Sequence, residues 1–275
     1  MGDTSIEWAD KVWNPISGCT KVSAGCRSCY AETIANRFWG ERKFAEVRCH
    51  PERLNIPLHW KKPRRIFVNS MSDLFHEDVP DDFILNCLKI MKHANQHIYQ
   101  VLTKRPGRML HFMQRVGQED GQLFLDHLMG GMMPHLDHVW LGVSIEDQAT
   151  ADERIPLLLQ TPAAVRWVSA EPLLGPADVR MYLSRTNMPG FNLLPGFRDP
   201  LPGLDWIICG AESGPHARPM DLDWARSLRD QCKVAGVKFF MKQLCDKGRK
   251  IPLHHWPTYL LIREWPDRTE RERRT

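Results

Sequence analysis

VWLGVSIED, residues 139–147, runs through seven apolar or small residues without polar alternation and then turns acidic. A strand with one wet face alternates apolar and polar residues. A continuous run instead suits a parallel strand covered on both faces. Five further runs share this character: IFV (66–68), IYQVL (98–102), VRWV (165–168), WIIC (206–209) and VKFFM (237–241). Helical patterns lie between them. From Pro80 to Ala94, Phe83, Ile84, Cys87, Leu88 and Met91 recur at three- and four-residue spacings, with Pro80 near the helix start. From Asp221, a candidate N-cap, Leu222, Ala225, Leu228 and Cys232 repeat the pattern, and Gly236 fits the stop. Strand, helix, strand at these spacings predicts successive right-handed βαβ units.

The residues after each strand select between two parallel folds. IFV leads into Asn69, Ser70, Met71, Ser72 and Asp73, and IYQVL into Thr103, Lys104 and Arg105. VWLGV leads into Ser144, Glu146 and Asp147, and VRWV into Ser169 and Glu171. WIIC leads into Glu212 and Ser213, and VKFFM into Lys242 and Gln243. Polar groups at every C-terminal strand end describe the mouth of a (β/α) barrel. A doubly wound sheet concentrates its site at one switch point. No GxGxxG or GxxxxGK[ST] loop is present, so a nucleotide site of those types has no support. The expected fold is α/β, a partial or complete (β/α) barrel. It is expected as one domain over residues 1–250, with a Pro- and Gly-rich loop at 184–204. Residues 251–275 form an extension ending in a charged tail. No internal sequence repeat stands out.

The 275 residues are 43% hydrophobic and 25% charged, ordinary for a globular chain. At this length a metal is not needed merely to complete a core. The N-terminus has no secretory pattern and no apolar run approaches a membrane span, so no membrane partner is expected. Ile6 stands where a myristoylation motif needs Ser or Thr. A cytoplasmic location with reduced thiols follows, and eight cysteines with three clustered point to metal rather than disulfides. Net charge is +4. The basic groups bunch at Lys61, Lys62, Arg64 and Arg65 and at Lys104, Arg105 and Arg108. Charge alone favours a solvated face over phosphate attraction.

The clustered cysteines lie in WNPISGCTKVSAGCRSCYAE, residues 13–32. Cys19, Cys26 and Cys29 fall within eleven residues, whereas zinc and iron–sulfur sites normally take four ligands. WNPISGC can supply a first short strand, with the cysteines on the loop after it. Cys29 then opens a helix from Tyr30, whose N-terminus favours thiolates. Zinc would draw a fourth ligand from Cys49 or His50 in VRCHPERL, but Cys49 has no CxxC partner. Spacing alone favours zinc; the place after the first barrel strand favours iron–sulfur. Cys87, Cys209 and Cys232 are expected in the core, and Cys245 within reach of a strand end. His76 is expected to be hydrogen-bonded and structural, and His111, His127, His135 and His138 form no recurrent metal pair. Neither GxSxG nor HExxH occurs, so hydrolase and zincin chemistry lack support.

A three-cysteine loop after the first strand of a (β/α) barrel resembles the radical S-adenosylmethionine (SAM) enzymes. More closely, NPISGCTKVSAGCRSCYAE, RIFVNSMSDLFHEDVP, YQVLTKRP, WLGVSIED, VSAEPLLG and GAESG resemble the phage Gp37/Gp68 family. That family is also catalogued as a domain of unknown function and grouped with radical SAM proteins. The resemblance covers roughly residues 4–245. It implies that Cys19, Cys26 and Cys29 hold three irons of a [4Fe–4S] cluster whose fourth iron takes the methionine end of SAM. A 5′-deoxyadenosyl radical would then abstract hydrogen from a substrate, after reduction by a flavodoxin- or ferredoxin-like electron donor. The sequence departs from the common CxxxCxxC spacing. Six residues separate Cys19 from Cys26, and the aromatic residue, Tyr30, follows the last cysteine.

By position, the resemblance makes Asn69, Ser70, Ser72 and Asp73 candidates for the SAM amino group, and Lys104 or Arg105 for its carboxylate. Ser144 and Glu146 suit ribose hydroxyls. Glu171, Glu212 and Lys242 are candidates for substrate binding or proton transfer, with a helix cap or ion pair an equal expectation for each. The basic bunches and the phage-type resemblance make a nucleic acid or nucleotide the expected substrate class, for base modification or repair. The rival is a non-catalytic nucleic-acid-binding protein stabilised by zinc or an iron–sulfur cluster. A pure electron carrier is a third reading, against which the polar strand ends argue.

Overall fold

The computed structural model describes residues 4, 6–117, 136–183 and 203–266. Most of the 184–204 loop, His127, His135 and the tail beyond residue 266 lie outside the described residues. The chain forms two compact units, Met1–Val143 with Thr161–Ala164, and Ser144–Gln160 with Val165–Thr275.

In the first unit, β1 (Lys11–Trp13), β4 (Arg65–Val68), β5 (Ile98–Thr103) and β6 (Val139–Ile145) run parallel, with Val12 opposite Phe67, Phe67 opposite Gln100 and Val101 opposite Leu141. In the second, β7 (Val165–Ala170), β8 (Trp206–Gly210) and β9 (Lys238–Gln243) are parallel, with Val168 opposite Ile207 and Ile208 opposite Phe240. Strand order is β1-β4-β5-β6-β7-β8-β9, in chain order throughout. A doubly wound sheet reverses its order at a switch point. No reversal occurs here, so the topology is that of successive parallel β/α units. All seven residues of β6 are buried, as a run without alternation requires.

The helices are α1 (Tyr30–Phe38), α2 (Asp81–His93), α3 (Pro106–Gly117), α4 (Gln148–Gln160), the single turn α5 (Arg180–Leu183) and α6 (Leu222–Ala235). Pro80 caps α2, and Phe83, Ile84, Cys87, Leu88 and Met91 are buried as their spacing predicts. In α6 the Asp221 carboxylate accepts the Asp223 amide at 2.9 Å, and Gly236 ends the helix at φ 68°. Leu222, expected on the apolar face, sits at the first helical position and is exposed; Ala225, Leu228 and Cys232 carry the contact.

WNPISGC does not form one strand. β1 ends at Trp13, and β2 (Ile16–Ser17) instead pairs antiparallel with β3 (Arg48–Cys49). Pro15 between them has no amide hydrogen to continue a parallel ladder, so the chain leaves the sheet there. The cysteine loop accordingly starts from a small ribbon rather than from the sheet strand itself.

Candidate functional site

Gly18 begins the cysteine loop at φ 94°, a conformation that L side chains rarely adopt. A Cβ there would lie 2.3 Å from the Glu46 carbonyl oxygen. The Gly18 amide donates to Met71 O at 3.0 Å and the Cys19 amide to Phe44 O at 2.9 Å. The loop therefore leaves between the NSMSD turn and residues 44–46. The Arg42 guanidinium lies over the Trp39 ring, 4.1 Å from its centroid, and donates to Ser17 Oγ and Ser17 O, closing the other side.

Cys26 ends a short 3-10 turn (Ala24–Cys26), and Cys29 is the N-cap of α1. Cys19, Cys26 and Cys29 are all free thiols and half-buried. Cys19 and Cys29 pack on Ala31, Ala35 and Phe44. Burial pushes the Cys19 thiol up to about 12, with the Asp73 charge adding to the effect and Arg105 opposing it. Burial also pushes Cys29 up, outweighing the amides of Glu32 and Ala31 that point at it. The expected help from the helix N-terminus is real in direction but loses to desolvation.

Beyond the loop, Asp73 and Arg105 organise the ends of β4 and β5. Asp73 Oδ1 accepts from Thr103 Oγ1 at 2.8 Å and Phe75 N at 3.0 Å, and Oδ2 from Lys104 N at 3.1 Å and Arg105 Nη1 at 3.2 Å. Arg105 also reaches Glu77, Thr20 and Cys19. His76 is buried; its Nδ1 accepts the Asp78 amide at 3.1 Å, which leaves Nε2–H to donate to Thr20 Oγ1 at 2.8 Å.

Asn69 is left-handed at φ 60° and buried, with its amide donating to Trp13 O and its Oδ1 accepting from Ile16 N. Its Nδ2 is buried without a hydrogen-bond partner. Ser70 exchanges hydrogen bonds with Asn14, Tyr30 Oη donates to Ser70 O at 2.6 Å, and Ser72 Oγ donates to Ile16 O. Thus the first unit brings Cys19, Asn69, Ser70, Ser72, Asp73, Lys104 and Arg105 around one stretch of loop.

In the second unit the candidates separate into three ion pairs. Glu146, with no exposed surface, pairs at 3.2 Å with Arg154 of α4, only 2% exposed. The same guanidinium donates to Ser144 O at 2.8 Å. Glu212 accepts Arg218 at 2.5 Å on Oε1 and 2.9 Å on Oε2. Glu171 accepts Ser169 Oγ at 3.1 Å, and the Lys242 ammonium lies 3.0 Å from its Oε1 without the alignment of a hydrogen bond. Gly210 permits this, because a Cβ there would meet Oε1 at 2.5 Å.

The remaining thiols and imidazoles divide cleanly. Cys87, Cys209 and Cys232 are buried in the core, as expected. Cys49 pairs with Ile16 in the β2–β3 ribbon, and His50 binds Ser17 Oγ at 2.7 Å and Glu52 at 3.1 Å. Cys245 belongs to a second ribbon, β10 (Cys245–Asp246) with β11 (Arg249–Lys250). His138 donates to Met91 O, and His111 is exposed on α3. The basic bunches are largely occupied. Arg108 is held by His76 O, Val79 O and Asp81, and Arg65 by Asp10, whereas Lys61 and Lys62 are exposed.

Three thiols suit zinc or an iron–sulfur centre by their softness, and the donor set therefore fits the group the sequence suggests. Among the described residues, no group of three or more His, Cys, Asp or Glu side chains is gathered round one ion position. Sequence reasoning missed Gly18, Thr20, Arg42 and Glu77. Only Gly18 left a signal, a glycine immediately before the first cysteine.

Fold and site together define a parallel α/β protein of successive β/α units with a thiol-bearing loop beside its first sheet strands. The chain belongs to the family described as protein of unknown function (DUF5131), whose profile matches residues 3–266. No curated protein and no solved structure matches the chain.

Proposed function

We propose that the protein is a radical SAM-type enzyme of the phage Gp37/Gp68 kind, with Cys19, Cys26 and Cys29 holding a [4Fe–4S] cluster. The observation that carries this reading is the concentration of three free, half-buried thiols on a loop packed against the polar ends of parallel strands. Bound there, the cluster and S-adenosylmethionine would supply reductive radical chemistry for hydrogen abstraction.

The chain's own residues bind, orient and exclude water. The NSMSD turn fixes the loop through Met71 O and Ser72, and the buried Asn69 Nδ2 remains a donor for a ligand acceptor. Phe44, Ala31 and Ala35 keep water from Cys19 and Cys29. Glu171 with Lys242 is the partly exposed acid–base pair of the second unit, suited to holding a proton or a polar substrate group. The substrate class we favour is a nucleic acid or nucleotide, and the reductant a flavodoxin- or ferredoxin-like protein.

Anaerobic purification tests the reading. A brown protein with about four irons per chain, which cleaves SAM after reduction, supports it. A colourless protein with one zinc per chain replaces it with the non-catalytic, metal-stabilised alternative. Binding to DNA or RNA that weakens steeply with salt supports the substrate class, and salt-independent or absent binding rejects it.

A further inference from the structure

We propose that Arg105 is a positioning residue for Cys19, fixing the sulfur and the following peptide against β5, rather than a group that receives a ligand carboxylate. A guanidinium has five N–H donors and no acceptor. Here every nitrogen is engaged. Nε lies 2.8 and 3.0 Å from the two Glu77 oxygens. Nη1 donates to Asp73 Oδ2 at 3.2 Å and Cys19 Sγ at 3.6 Å. Nη2 donates to Thr20 Oγ1 at 2.8 Å and Thr20 O at 3.3 Å. The residue is 6% exposed, so a ligand carboxylate would have to displace one of these partners from a nearly closed site.

An ion pair to Asp73 alone would tie the end of β5 to the NSMSD turn. That explains neither the N–H aimed at a thiol nor the capture of both oxygens of the next residue. Arginine suits the task and lysine does not, because only a planar fork can serve acceptors on three sides at once. The Cys19 thiol donates to Thr20 O at 3.4 Å while accepting from Arg105. When a metal replaces that proton, the guanidinium N–H still faces the sulfur. Its positive charge offsets the cost of a half-buried thiolate. On an iron–sulfur centre, a hydrogen bond to a ligand sulfur raises the reduction potential. Glu77, mostly exposed, holds the guanidinium from the solvent side, and Thr103 Oγ1 accepts the Arg105 amide at 2.9 Å.

The structural part of the proposal does not depend on which metal binds; its potential shift rests on the iron–sulfur reading. The test therefore has a metal-free arm. Hydrogen exchange is measured on the apo full-length chain for the amides of residues 18–21, with those of α2 as internal reference. R105Q is expected to speed exchange at 18–21 by about tenfold or more while α2 is unchanged. Unchanged exchange at 18–21 overturns the proposal. If R105Q does not fold, Thr20→Val keeps every charge pair and removes the Oγ1 that accepts both Arg105 Nη2 and His76 Nε2, so it is read beside His76→Leu, which removes the second donor alone. Loosening at 18–21 greater in Thr20→Val than in His76→Leu supports the proposal, and equal or absent loosening overturns it.

In the metal arm, iron with sulfide and Zn2+ alone are the probes. R105Q is expected to hold its metal about 10- to 100-fold more weakly, with R105K recovering only part of the loss. A reconstituted R105Q cluster should titrate at a more negative potential than wild type, and an equal potential rejects the hydrogen bond to the bound sulfur. Loosening at 18–21 in R105Q, with a wild-type protein that binds neither probe, would sink the metal-site reading and leave the positioning role standing.

Discussion

Gly18 and the Glu146–Arg154 pair show how single residues constrain this protein. Gly18 combines a left-handed backbone with a carbonyl oxygen 2.3 Å from where a Cβ would stand. Gly18→Ala is expected to cost roughly 2–5 kcal/mol in urea unfolding, from the backbone conformation and the clash together. A cost below about 0.5 kcal/mol would show that the loop can leave by another path. In the second unit, Arg154→Met takes the ion pair and its hydrogen bonds from the buried Glu146 carboxylate, for an expected loss of about 3–5 kcal/mol. Adding Glu146→Leu should recover most of it, because an apolar pair carries no desolvation penalty. Failure of the double variant to recover would assign Glu146 a role beyond the pair. These residues also mark the limit of sequence reading. Arg105 and Glu146 were visible as polar strand ends. That one is committed to Cys19 and Thr20, and the other to Arg154, depends on partners far away in the chain or on a neighbouring helix.

Elements were more legible, because their signals are local. The spacing over residues 80–94 anticipated α2 within a residue at each end, and Asp221 and Gly236 bound α6 as cap and stop. Asp221→Ala should cost about 1 kcal/mol by denaturant unfolding, since it frees the Asp223 amide. The first strand was less legible: Pro15 splits WNPISGC between the sheet and a ribbon, and ribbon pairing with Arg48–Cys49 has no local signature.

The β1–β4 pairing also carries a pH dependence. Burial pushes the Asp10 carboxyl up, but hydrogen bonds and charge from Arg65 outweigh it and hold the group below the usual carboxylate value of 3.8. A depressed folded value stabilises above the unfolded value, and that contribution is lost as pH falls through the folded one. Stability should therefore drop below about pH 4 in wild type. In Asp10→Asn that component of the drop should be absent. Parallel pH profiles for the two proteins would remove Asp10 from the account.

For the whole molecule, the cysteine inventory is the readiest global test. Cys87, Cys209 and Cys232 are buried, and the other five are half-buried. The apo protein should label at up to five cysteines while native and at eight when unfolded. Cys19, whose thiol burial pushes up to about 12, should be slow at neutral pH and faster as pH rises. With metal bound, Cys19, Cys26 and Cys29 should become protected, leaving Cys49 and Cys245. Labelling of the three at unchanged rates in metal-loaded protein would remove them as ligands.

The sequence alone determined the succession of β/α units, the buried strands, the core cysteines and the presence of a thiol cluster. Each of these follows from residue type and short-range periodicity, which act over a turn of helix or a few residues of strand. Tertiary structure alone decided which polar strand ends are engaged with one another. It also decided that Cys29 is raised despite its helix N-terminus, and that Arg105 faces Cys19 across 86 residues of chain. Burial and ion pairing are properties of what the fold brings near, and desolvation at those positions outweighs the local preferences written along the chain.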